Sequence, residues 1–164
     1  MFDATNNGGS MAYYRTAKLE DIEELADNLR AEDRLEVFCS HGYGPKQALT
    51  YSFGTSKECN SIIDDGERVI GMFGFGVTPD NKSAIPWLLA SDELSKIAKQ
   101  FLPESKAWVD RVVEPYDYVF NYVHASNRKS IKWLKWLGFT LSGNAVIYGY
   151  YPAPFYKFTM VKEK

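Results

Sequence analysis

The sequence predicts a mixed α/β domain: one central mixed β-sheet of about six to seven strands, with helices on both faces. Three observations predict it. Apolar runs with strand-like and helix-like spacing alternate along the chain, without repeats or low-complexity blocks. Antiparallel hairpin signals stand near both ends of that order, the first around Asp65-Gly66. Between them, a buried strand, a long helix and a second apolar strand form a crossover, the connection that parallel strands require.

The elements follow in order. Ala12 to Ala17 reads as a short first strand. Ile22, Leu25, Ala26 and Leu29 recur at i, i+3, i+4 and i+7, the spacing of an amphipathic helix. A second helical piece spans about Glu32 to Ser40 and stops at Gly42. Pro45 then opens a third short helix at its first position, running to about Phe53. Ile62 to Phe73 is a hairpin turning at Asp65-Gly66, and Ile85 to Ala90 is a buried strand. Leu94, Ile97, Phe101, Trp108, Val109 and Val112 mark a long helix, kinked or split at Pro103. A strand at 117–124, a tryptophan-bearing helix, and two closing strands near 139–149 and 155–162 complete the chain.

Composition bounds the partners. With 164 residues and 45% apolar content, one domain has enough chain for a substantial core. A formal charge of -2 argues against a dedicated nucleic-acid binder. No apolar run approaches the roughly 20 residues of a membrane span. Cys39 and Cys59 form neither a CxxC pair nor a metal-ligand pattern, so no metal is expected. The first ten residues are polar and rich in Asn and Gly. They read as a flexible leader before a single domain at 11–164, in a soluble intracellular protein.

The most informative stretch runs from Asn127 to Phe139. At about 100° per residue, Ile131, Trp133, Leu134, Trp136 and Leu137 sweep an apolar arc of roughly 220°. Lys132 and Lys135 share the remaining strip. Asn127 is placed to cap the helix, Ser130 falls in its first turn, and Gly138 stands where a left-handed residue would end it.

A strand, an Asn, a short amphipathic helix and Gly-Phe together resemble the cofactor-binding half of the GNAT N-acetyltransferase fold. The likeness extends from Tyr14 to Phe158. More narrowly, four ordered stretches resemble a family of tailed-phage proteins whose best-known members are internal virion proteins of short-tailed phages. These stretches are Arg30 to Val37, Pro86 to Asp92, Asn121 to Val123, and Asn127 to Phe139. That resemblance implies a phage-encoded protein in the host cytoplasm or virion interior, with phage structural proteins as partners.

The GNAT resemblance implies acetyl-CoA held in a wedge between the strands at 85–90 and 117–124. Backbone groups of Leu88, Leu89 and Ala90 would pair with the pantetheine arm, and amides near Leu89 would polarise the thioester carbonyl. Ser91 would begin the pyrophosphate turn, with Asn127 and Ser130 near the cofactor. Asp33 and Glu36, on the helix bordering the acceptor pocket, and His124, ending the strand beside the wedge, are candidate bases for an amine on a small molecule or protein. Asp33, Arg34 and Glu36 equally fit an i,i+3 surface network.

Two positions depart from the enzyme pattern. The turn after the first wedge strand reads Ala90-Ser-Asp-Glu, without the usual glycines. Asp92 and Glu93 stand where phosphates would bind, a place that also suits them as helix-capping acids. Leu134 occupies the position at which many GNAT enzymes carry a proton-donating Tyr. The sequence therefore supports two readings: an acyl-CoA-dependent N-acetyltransferase with a degenerate pyrophosphate loop, or a catalytically inactive GNAT-fold virion or morphogenesis module.

Overall fold

The computed structural model describes residues 2–4 and 12–162, with side chains for the longer stretch. Nine strands form one mixed sheet. Phe2–Ala4 (β1), which the sequence places in a flexible leader, runs antiparallel to Ala12–Thr16 (β2). The rest of that leader lies outside the described residues. Glu58–Asp64 (β3), Val69–Val77 (β4) and Ser83–Ala90 (β5) extend the sheet as an antiparallel meander. The turn at Asp65-Gly66 belongs to a loop spanning 65–68. Asp64 Oδ1 accepts from the amides of Gly66 and Arg68 at 3.0 and 2.9 Å, and Glu67 adopts a left-handed φ of 61°.

Helices divide the core between the two faces. Leu19–Ala26 (α1), Ala31–His41 (α2) and Pro45–Thr55 (α3) intervene between β2 and β3. Ile22, Leu25, Val37 and Leu49 pack with Ile63, Met72 and Leu89 on one face of the sheet. Leu94–Val113 (α4) and Arg128–Leu137 (α5) cover the other face, where Ile97, Phe101, Trp108 and Leu137 meet Phe73, Phe75 and Val119. Alternation along β5 sends Trp87 and Leu89 to the first cluster, and Leu88 and Ala90 to the second.

Contrary to expectation, α4 is not split at Pro103. A proline inside a helix costs about 3 kcal/mol. Here Phe101 on one side and Trp108 and Val109 on the other are buried in the same core, and the helix continues through the proline.

Tyr118–His124 (β6) is parallel to β5, and Ala153–Val161 (β9) runs antiparallel along all of β6. The expected strand at 139–149 is two short pieces, Thr140–Leu141 (β7) and Val146–Tyr148 (β8), both paired to β9. Ser142 interrupts the ladder: its hydroxyl accepts from the Lys157 amide at 3.1 Å. This division and β1 raise the strand number above the six or seven expected. The class is the expected one, an open mixed sheet between two helical layers.

Candidate functional site

A parallel ladder that stops early creates the site. β5 and β6 pair only at Ser83 with Tyr118 and Ala84 with Val119. Beyond that the strands part, and the Asn121 side chain bridges the gap, its Nδ2 donating to the Pro86 carbonyl at 2.8 Å. On the other side of β5, the Ser91 amide donates to Ile70 and Met72 stands opposite Leu89. The alternation of an antiparallel ladder therefore turns the backbone groups of Pro86, Leu88 and Ala90 toward the opening.

The chain itself occupies the far end of that edge. The Ala90 amide donates to Asp33 Oδ2 at 2.9 Å, and its carbonyl accepts from the Arg30 amide at 2.8 Å. Asp33 is also paired with the Arg30 guanidinium through bonds of 3.0 and 2.9 Å, both side chains being buried. Burial pushes the Asp33 carboxyl up, against the pull of Arg30 and the Ala90 amide. Ser130 Oγ accepts a further bond from Arg30 at 3.2 Å. Leu88 is thus the wedge residue whose amide and carbonyl face the gap between two engaged neighbours.

Asn127 ties this network to the start of α5. Its Oδ1 accepts from the Ser130 amide, a cap worth about 1 kcal/mol. Its Nδ2 donates to Asp33 Oδ1 at 3.3 Å and to Glu36 Oε2 at 2.9 Å. Glu36 Oε2 also accepts from the His124 amide at 3.2 Å. Glu36 is half-buried, and its carboxyl is pushed up to about 7. Loss of hydration is the main cause, and the Asp33 carboxylate adds to it, while Asn127 and the His124 amide oppose it.

A cavity of about 450 Å³ fills the wedge and reaches both faces of the sheet. Toward α4 and α5 it is lined by Leu88, Ser130, Trp133 and Leu134; toward α2 and α3, by Glu36, Tyr43, Tyr51 and Trp87. Tyr122 and Tyr148 also line it, their rings stacked 4.1 Å apart. The phosphate end is different. Three amides at the head of α4 are engaged locally: Glu93 donates to Ser91 Oγ, Leu94 to the Ser91 carbonyl and Lys96 to the Glu93 carbonyl. Lys96 pairs with Glu93 at 2.8 Å, and Lys129 stands 3.6 Å from Glu32 and 3.8 Å from Asp92.

No protein-family model matches the sequence, and no curated protein sequence matches it. Solved structures do. The ribosomal-protein-S5-alanine acetyltransferase from Vibrio fischeri superposes with a TM-score of 0.67, at 15% identity, over 100% of this chain and 98% of that one. Spermidine N-acetyltransferase from Vibrio cholerae, in complex with CoA and spermine, gives 0.64 at 13% identity, over 92% and 95%. An N-acetyltransferase from Staphylococcus aureus Mu50 gives 0.66 at 18% identity, over 92% and 98%. The fold is that of the GNAT acetyltransferases.

Within this GNAT fold, the residues singled out in the sequence fall into three groups. Glu36, Leu88, Leu89 and Ser130 line the cavity. Asp33, Ala90 and Asn127 are buried behind it in mutual hydrogen bonds, so Asp33 belongs to no surface network. Leu89 lines the cavity by its side chain, but the ladder phase assigns the wedge-facing amide to Leu88. Ser91 spends its amide on Ile70 and its hydroxyl on the head of α4. His124 Nδ1 lies 2.8 Å from Ser126 Oγ, and burial lowers the ring's pKa. Sequence reasoning missed Arg30 as the partner closing the wedge edge. Trp87, Tyr122 and Tyr148 wall the cavity and do not plug it, although apolar and aromatic strand residues read equally as core. Among the described residues, no group of three or more His, Cys, Asp or Glu could hold a metal, and no helix is long and apolar enough to cross a membrane.

Proposed function

We propose that this protein is an acyl-CoA-dependent N-acetyltransferase of the GNAT fold in which Glu36 serves as general base. One observation carries the reading: a carboxyl with a pKa of about 7 faces the cavity between parting strands. Acyl groups on thioesters are transferred by attack of a neutral amine on the carbonyl carbon. Glu36 accepts the proton that the ammonium must lose, directly or through one water. The Leu88 amide is placed to donate to the carbonyl oxygen as charge develops there. The nitrogen–carbon bond then forms, the carbon–sulfur bond breaks, the attached nitrogen sheds its second proton to solvent, and the departing thiolate takes one up from solvent. CoA bound to the Vibrio cholerae neighbour supports this choice of donor. The nucleotide end is held weakly in this reading, since the amides and lysines beside Ser91 are already engaged.

That same closure favours a second reading. With Ala90 bonded to Arg30 and Asp33, and three amides at the head of α4 engaged within the chain, the scaffold serves as a catalytically inactive interaction module. The narrower sequence resemblance makes that a phage virion or morphogenesis component. Calorimetric titration with acetyl-CoA and with CoA separates the two. Saturable heat with acetyl-CoA, and release of thiol on adding an amine, is the expected result. Absence of both heat and thermal shift at millimolar ligand leaves the second reading standing and the first excluded.

A further inference from the structure

The wedge opens toward α2 and α3 into a chamber whose walls are aromatic. Trp87 and Tyr122 project from β5 and β6 on the face that carries Glu36. Tyr122 stacks on Tyr148 at 4.1 Å, and Tyr148 packs edge-on against Phe155 at 5.2 Å. Trp87 is fixed by a hydrogen bond of 2.7 Å from its Nε1 to Ser56 Oγ, so its indole is a rigid wall. At the outer end, His41, Tyr43 and Tyr51 form a cluster with ring centroids 5.5 to 5.9 Å apart. Tyr51 remains 48% exposed there.

Charge within this chamber is sparse. Among the described lining residues, Glu36 is the single carboxylate, and no lysine or arginine joins it. Burial lowers the His41 pKa, which keeps that ring neutral at the rim. The adjoining surface hollow, lined by Tyr43, Gln47 and Tyr51, carries Lys46, a cation paired with Glu23 at 2.5 Å. Glu36 Oε2 already accepts two bonds, and Oε1 receives none among the described residues. One ammonium therefore has a partner, and aromatic faces around it attract the same charge. A second ammonium would have only ring faces to meet it, without the carboxylate that Glu36 offers the first.

We propose that the acceptor is a primary monoamine with a flat aromatic body, its ammonium at Glu36 and its ring against the tyrosines of the chamber. This deepens the acyltransferase reading, on which the transfer step rests. The acceptor site itself is testable without any donor.

The test is calorimetric titration at pH 8 of the full chain with 2-phenylethylamine, n-propylamine and spermidine, in the absence of thioester. 2-Phenylethylamine binds at least tenfold more tightly than the other two. Glu36→Gln weakens it tenfold or more, and Tyr51→Ala several-fold. Tyr51→Phe retains the affinity, because the ring and not the hydroxyl is used. Thermal melting of each variant shows that it is folded. Spermidine binding as tightly as 2-phenylethylamine, or an unchanged affinity in Glu36→Gln, overturns the assignment. Adding acetyl-CoA then separates the two ideas. 2-Phenylethylamine that binds with this selectivity but releases no thiol upholds the site and removes the transfer reading. Thiol release with spermidine and none with 2-phenylethylamine removes the assignment and keeps the transfer.

Discussion

Burial and hydrogen bonding act in opposite directions on Glu36, and the balance leaves its carboxyl near neutrality. Two consequences separate a base from a structural acid. Activity with an amine should rise with pH through about 7, since only the ionised form accepts a proton. Glu36→Gln should lower kcat by roughly 10²- to 10⁴-fold and abolish that rise, measured as thiol release across pH 5.5–9. Stability carries the opposite sign. A carboxyl with a raised folded pKa binds its proton more tightly in the native state. Its contribution is complete below the unfolded value and is lost as pH climbs through about 7. The thermal midpoint of the wild type should therefore fall more steeply than that of Glu36→Gln between pH 5 and 8. Asp33 behaves differently although it lies one helical turn away. Asp33→Asn leaves the Arg30 guanidinium buried without its counter-charge, a change that costs about 3 kcal/mol or more. Urea unfolding at pH 7 checks this, and an unchanged midpoint would show that the pair does not hold the edge of β5.

Elements show where the sequence was legible and where it was not. Asn127, Gly138 and Phe139 announced α5 because capping is local. The Asn127 side chain meets Ser130 three residues away, and Gly138 takes a φ of 98° that few other residues adopt. The closure of Ala90 depends on Arg30 and Asp33, which reach across a separation of some sixty residues. No local pattern encodes such a contact. Pro103 did not split α4 for the same reason, as tertiary burial on both sides carried the helix through a local breaker. The segment after β8 is another long-range junction. Amides of Tyr150 and Tyr151 donate to the carbonyls of Ser40 and Cys39 at 3.0 and 2.9 Å, and Phe38 stacks on Tyr151 at 4.6 Å. Gly149 permits this docking: its φ is 105°, and a Cβ there would collide with the Cys39 carbonyl. Gly149→Ala should detach the strip that positions Tyr148 over Tyr122. A several-fold rise in the acceptor KM with little change in the donor KM is the expected outcome, read from steady-state kinetics. Equal rises in both would place the strip outside the acceptor chamber.

For the molecule as a whole, one sheet separates two apolar cores, and the wedge is the passage between them. A donor entering from the α4 side approaches a surface that carries Asp64, Asp92, Glu93 and Glu32. The neighbouring cations Arg68, Lys96 and Lys129 are each drawn to one or more of those acids. The net charge of the chain is also negative, at -2. Acetyl-CoA is a polyanion, so its nucleotide meets repulsion where a glycine-rich phosphate turn would attract it. Salt shortens the reach of that repulsion, from a Debye length of about 30 Å at 0.01 M to about 8 Å at 0.15 M. The KM for acetyl-CoA should therefore fall as salt is added over this range. S-acetyl-N-acetylcysteamine, which keeps the thioester end of the arm and lacks every phosphate, should show a flat response. The ratio of kcat/KM for the two donors should thus widen in favour of acetyl-CoA as ionic strength rises. A KM for acetyl-CoA that instead increases with salt would locate a cationic phosphate grip elsewhere on the wedge rim, and the acids at 92 and 93 would then be helix-capping residues without influence on the donor.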